Sequence, residues 1–133
     1  MTDTDQVVLS FPRKAQYYSV VRLVVGGLGV PMQMSYDALD DLQLAISSLL
    51  DNEDLPGSGD LELRLAVGPD SMEAILGGFP ASSVESAFDR HVEGDGGLGL
   101  RKLLTTIVDD VVITPDDAGN EWVHLTKRVG APV

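Results

Sequence analysis

Cysteine is missing from the 133 residues, which excludes disulfides, thiolate metal sites and cysteine nucleophiles. Histidine occurs only twice, at His91 and His124, too sparsely for a histidine-rich metal site. Cations are also few: nine Lys and Arg stand against 21 Asp and Glu, a formal charge of −12. Nucleic acid is a poor partner for such a chain, because neutralising phosphates needs clustered Lys and Arg. The shortage has a local form. No Lys or Arg falls between Leu23 and Leu63, where Asp37, Asp40, Asp41, Asp51, Glu53, Asp54, Asp60 and Glu62 accumulate. Such a run suits a basic protein surface.

Long hydrophobic runs are lacking too. The longest, Val20 to Val30, is interrupted by Arg22 and by Gly26-Gly27, and falls short of the roughly 18 apolar residues that span a bilayer. No basic segment leads into an apolar one at the start, so a cytoplasmic location and no membrane partner are expected. What is there, 44% apolar and 23% charged residues, is the make-up of a soluble globular domain. The length fits one domain, 1–133, with the polar stretch 1–6 frayed.

Val7-Val8-Leu9-Ser10-Phe11 reads as a first strand stopped by Pro12. Ala15 to Leu28 has helical spacing at Tyr17, Val20, Val21, Val24, Val25 and Leu28, closed by glycines. Ser35 is an N-cap, with Asp37 in the first turn, for a helix reaching about Asn52. Its apolar stripe is Leu39, Leu42, Ile46, Leu49 and Leu50. Leu61, Leu63, Leu65 and Val67 alternate with Glu62, Arg64 and Ala66, a half-buried strand that turns at Gly68-Pro69-Asp70 into a second one. A short helix around Val84, Ala87 and Phe88 follows. Two strands, Val111 to Thr114 and Trp122 to Val129, close the chain around a Pro115–Gly119 turn. The order predicts an α+β fold with helices on one face of a largely antiparallel sheet.

The densest signal is Gly94-Asp95-Gly96-Gly97-Leu98-Gly99-Leu100, running into a helix with Leu100, Leu103, Leu104, Ile107 and Val108 at helical spacing. A glycine-rich turn that opens a helix gathers backbone N–H groups where a phosphate can sit.

This segment, with Tyr18–Val24, Leu42–Ser47, Val108-Asp109-Asp110-Val111 and Val123–Arg128, resembles the anti-sigma-factor serine kinases. They are a bacterial branch of the GHKL (histidine kinase-like) ATPase superfamily. The resemblance covers about Ser10 to Val129 and is most specific in the C-terminal third. It implies a two-layer sandwich of a mixed, mostly antiparallel sheet under helices, with a nucleotide pocket between the layers. It also implies ATP and Mg2+ as cofactors, a sigma factor and an anti-anti-sigma antagonist as partners, and homodimerisation. By that resemblance Asn52, Gly96, Gly97, Leu98, Gly99 and Leu100 are the nucleotide-binding residues, and Asn52 is also the Mg2+ ligand.

The chain departs from the family at two points. A glutamate that activates the nucleophile should stand four residues before the metal-binding asparagine; that position is Ser48, and a serine cannot take up a proton near neutral pH as a carboxylate does. Asp41 is about two turns away, roughly 10 Å, and Asp51 and Glu53 point about 100° off that face. The aspartate that reads the adenine amino group should stand at Ala74, and the first glycine of the same box at Leu76. No residue takes the catalytic role, and both departures count against ATP and Mg2+. The resulting expectation is an anti-sigma-type regulator that works by protein–protein binding, with nucleotide binding and kinase activity weakened or lost. Two alternatives stay open: an active ATP-dependent serine/threonine kinase acting on the antagonist, and a non-enzymatic scaffold module.

Overall fold

A computed structural model describes residues 5–52, 55, 59–89 and 99–130. Its elements are β1 (Asp5–Pro12), a 3-10 turn (Ala15–Tyr17), α1 (Tyr18–Gly29), α2 (Tyr36–Leu50), β2 (Asp60–Val67), β3 (Ser71–Phe79), α3 (Ser83–Asp89), α4 (Leu100–Ile107), β4 (Asp110–Pro115) and β5 (Glu121–Arg128). Asp5 and Gln6 belong to β1, paired with Val67 and Ala66, although their polarity reads as a frayed end. Ser35 caps α2 as its sequence predicts: the hydroxyl accepts from the Ala38 N–H at 3.1 Å.

The strands form one sheet in the order β1-β2-β3-β5-β4. All four pairings are antiparallel, so the mixed sheet expected from the family is not found among the described strands. β3 and β4 do run in the same direction, but β5 lies between them and separates what would be the parallel pair.

Alternation decides which face is buried. Two rows of inward side chains cross all five strands: Leu9, Leu63, Leu76, Val123 and Ile113, then Val7, Leu65, Ala74, Leu125 and Val111. In β2, β3 and β5 every member of both rows is fully buried. Above them lies α2, whose inward stripe of Ala38, Leu42, Ala45, Ile46 and Leu49 recurs every three or four residues. Each fully buried leucine or isoleucine contributes about 1.5–3 kcal/mol of transfer free energy, which makes this stripe the main attachment of the helical layer. α1 packs beside α2 through Val21, Val25 and Gly29. At Gly29 a Cβ would meet the tip of the Leu39 side chain at 2.8 Å, and that side chain would have to turn aside.

The outer face carries no helix among the described residues. There Trp122 lies flat over Gly77 of the neighbouring strand, and a Cβ on Gly77 would fall inside the indole. Arg64 stacks on the ring with its Cζ 4.6 Å from the centroid, and the indole Nε1–H donates to Asp116 Oδ2 at 3.0 Å. Trp122 therefore belongs to an interior strand of the sheet. His124, beside it, reaches the Thr114 hydroxyl at 2.8 Å and lies 3.6 Å from Glu73.

Two outcomes follow. Gly77→Ala should displace Trp122, lower the stability by about 1–3 kcal/mol in urea unfolding, and shift the emission of this sole tryptophan. The Trp122 hydrogen bond, helped by backbone N–H groups, holds the Asp116 carboxyl below its ordinary pKa. Its contribution is present above that ordinary value and is lost as pH falls through the lowered one. Trp122 fluorescence should therefore hold steady through the usual carboxylate range and change only below it; a change centred at the ordinary value would count against the bond.

Candidate functional site

Antiparallel pairing brings the end of β1, the start of β2, the end of β3 and the start of β5 to one end of the sheet, as the pairs Pro12–Asp60 and Phe79–Glu121 record. The C-terminal end of α2 arrives at the same place. The Arg13 N–H donates to the Gly59 carbonyl at 3.1 Å, and Arg13 Nη2 donates to the Asn52 carbonyl at 3.2 Å. Tyr18 Oη donates to the Leu50 carbonyl at 3.4 Å. The Leu50 carbonyl belongs to the last turn of α2, where no intrahelical donor follows, while the Asn52 carbonyl, just beyond the helix, also accepts the Leu55 N–H at 3.2 Å.

α2 stops earlier than its periodicity suggests. Asp51 is its C-cap, at φ −86° and ψ −4°, and the Asn52 N–H turns to the Leu49 carbonyl at 3.4 Å. Aspartate and asparagine bond to nearby backbone and are poor at continuing a helix. Ser48 therefore lies on the helix and Asn52 beyond it, so the geometry of two side chains one turn apart on one helical face does not carry over. The Ser48 hydroxyl donates back to the Leu44 carbonyl at 2.8 Å.

Arg13 is the functional group that sequence reasoning passed over. Its Cζ lies 5.9 Å from the Phe79 ring centroid, and its Nη1 is buried without a hydrogen-bond partner among the described residues. No carboxylate among them pairs with it. A basic residue directly after the strand-ending Pro12 was the available signal. Glu121 was missed as well. It is buried, and its Oε1 accepts the Val84 N–H at 2.8 Å, holding the first turn of α3. Its inward parity with Val123 and Leu125 was legible.

Ala74 and Leu76, the positions of the adenine-reading box, are mid-strand in β3 with fully buried side chains inside the two core rows. Of the glycine segment, Gly99 and Leu100 are described. Gly99 is the extended N-cap of α4 (φ −61°, ψ 158°), its carbonyl accepts the Leu103 N–H at 3.0 Å, and Leu100 turns inward. Gly96, Gly97 and Leu98, with His91, lie outside the described residues. Arg101 joins the start of α4 to the end of α3, stacking on Phe88 with its Cζ 5.0 Å from the ring centroid and lying 3.9 Å from Asp89. Lys127 fixes the other end of α4, donating to the Ile107 carbonyl at 2.7 Å and to Asp41 at 3.2 Å.

These positions fit poorly to a metal-bound purine nucleotide. Ser48 satisfies itself on its own helix, the Asn52 carbonyl is engaged by a cation, and the purine-reading position is packed core. Reinstating the acid by Ala74→Asp should therefore cost about 3–5 kcal/mol in urea unfolding at neutral pH, because the carboxylate would be buried without a partner. The loss should shrink as pH falls and the introduced carboxyl becomes neutral. A mild loss independent of pH would mean that the position opens to solvent.

No protein-family model matches the chain. Individual proteins do. The serine-protein kinase RsbW of Bacillus licheniformis is 28% identical, with 92% of this chain and 85% of the relative covered. RsbW of Bacillus cereus (strain G9842) is 28% identical over 94% of this chain and 86% of its own. RsbW of Listeria monocytogenes serotype 4a (strain HCC23) is 28% identical over 94% and 88%. The similarity spans both halves of the fold and is not confined to the glycine segment. Over nearly its whole length the chain is thus similar to serine-protein kinases of the RsbW type.

Proposed function

We propose that this chain is an anti-sigma-type regulator that acts by binding proteins, with nucleotide binding and phosphoryl transfer weakened or lost. The observation that carries the reading is the similarity to RsbW kinases over more than nine-tenths of a chain that has Ser48 and Ala74 where the family resemblance implies two carboxylates. Its partners are a sigma factor and an anti-anti-sigma antagonist, and it works as a homodimer in the cytoplasm. The whole of 1–133 is the working domain. Asn52, Gly96, Gly97, Leu98, Gly99 and Leu100 are what remains of the nucleotide site, and their survival favours residual ATP binding as the second reading.

The docking surface is the acidic side of α2. Asp37 and Asp40 are exposed, and near them a cleft of about 310 Å3 is lined by Ser35, Asp37, Asp41, Asp109 and the two cations Lys127 and Arg128. Exposed charges at the rim of an interface act mostly on the rate of association and are screened beyond about 8 Å at physiological salt.

Co-purification from the native cell extract, read by mass spectrometry, should return a sigma factor; failure to bind any sigma factor would favour the scaffold reading. Titration calorimetry with Mg-ATP should show weak binding or none. A dissociation constant in the low micromolar range, about −8 kcal/mol, would overturn the loss of the site. Association with the sigma factor should slow with added salt while dissociation barely changes. Asp37→Asn with Asp40→Asn should reproduce that slowing at a folding cost under about 0.5 kcal/mol each. An unchanged salt dependence in the double variant would place docking elsewhere.

A further inference from the structure

We propose that two copies of this chain meet, about a two-fold axis, on the side formed by the free edge of β1 and the outer stripe of α1. The proposal rests on reading the chain as a homodimer and adds the surface, which that reading leaves open.

α1 is apolar on two sides. Val21, Val25 and Gly29 face the core. α2 is met through Arg22, whose carbonyl accepts from Gln43 Nε2 at 2.9 Å and whose Nε donates to the Ser47 hydroxyl at 3.4 Å. Val20, Leu23, Gly27 and Val30 recur at intervals of three and four, so they form a second stripe, turned away from α2. Leu23 is 74% exposed and Val30 73%. A Cβ on Gly27 would meet nothing within 4 Å, which lets another backbone come close. Isolated surface hydrophobics are ordinary, but five of the seven large exposed ones among the described residues fall between Val8 and Tyr36.

α1 lies at the β1 end of the sheet, where the Tyr18 ring meets the Phe11 ring edge-on with centroids 6.5 Å apart. There β1 has only β2 as a neighbour among the described strands, and its register runs from Asp5 to Pro12 without a shift. Edge strands are commonly protected from further pairing by a charge, a proline or a bulge, yet Gln6 to Phe11 carries none of these. An apolar helix stripe and an unprotected edge thus share one side of the molecule.

Charge decides what covers them. In a chain of net charge −12, residues 6–36 hold no Asp or Glu, and they hold Arg13, Lys14 and Arg22. A second copy is repelled by most of this surface and least by that stretch. The basic protein surface that suits α2 would be repelled here, because Lys14 and Arg22 are exposed. The opposite edge, β4, carries Asp110 and is flanked by Asp109, Asp116 and Asp117, so it opposes its own copy. Edge against edge and stripe against stripe is self-complementary, as a two-fold interface requires.

Sedimentation velocity of the natural chain over a concentration series should give a dimer. Leu23→Asp would bury a carboxylate in the stripe, and Val8→Lys would set like charges against each other at the edge. Each should raise the dimer dissociation constant at least about tenfold. Leu44→Asp, at an exposed position of α2, should leave it unchanged. All three positions are exposed, so the variants should fold, as urea unfolding of the diluted chains would check. Added salt should leave the dimer as tight or tighter, because it screens repulsion between two acidic copies. A natural chain that stays monomeric throughout overturns the homodimer reading and the surface together. A dimer that neither Leu23→Asp nor Val8→Lys loosens, that Leu44→Asp loosens as much, or that salt dissociates overturns the surface alone. None of these measurements depends on whether a sigma factor binds.

Discussion

The seating of α2 on the inner face of the sheet is the constraint on which the other parts depend. Leu42, Ala45, Ile46 and Leu49 of this one helix share a single hydrophobic core with the two rows of side chains that cross the sheet. Once α2 is placed, α1 follows through Gly29, and α4 is drawn in by Lys127, which joins Asp41 of α2 to the last carbonyl of α4. Where α2 stops is then where the sheet end, Arg13 and the start of α3 converge.

That placement explains what Ala74 does for the fold. A carboxylate at position 74 would need a ligand or water to stabilise it; an alanine there lets the strand join an unbroken core. Removing a buried polar group whose partner is gone relieves an unsatisfied charge and tightens packing. At this end Arg13 bonds the Asn52 carbonyl just beyond α2, and Glu121 holds the start of α3.

Much of the fold was legible because period and punctuation agreed. The alternation of Leu61, Leu63 and Leu65 marked β2 and its buried face, Ser35 marked the start of α2, and Gly68-Pro69-Asp70 marked the hairpin. The end of α2 was misread because Leu49 and Leu50 continue the apolar stripe to the last turn, while the stop comes from the backbone chemistry of Asp51 and Asn52. The seat of Trp122 was not legible because it depends on Gly77, a residue distant in sequence whose missing side chain makes room for the indole. Arg13 escaped notice for a related reason: nothing local marks an arginine whose partner is a carbonyl 39 residues away. Parity did indicate that Glu121 faces inward, but not that it would find the Val84 N–H.

The order β1-β2-β3-β5-β4 also bears on how the molecule comes into being. β1 and β2 are separated by both long helices, β2 and β3 form a local hairpin, and among the described strands β4 has β5 as its only sheet neighbour. β5 must therefore pair on both sides, closing a long loop to β3 as it zips to β4, so the sheet is completed in a late, entropically demanding step. Until then the free edge of β3 and the apolar rows beneath it are open, and during synthesis that interval lasts until Glu121–Arg128 has left the ribosome. The strand that holds the α3 latch, the tryptophan seat and the α4 clamp is thus also the one whose arrival ends the chain's exposure to aggregation.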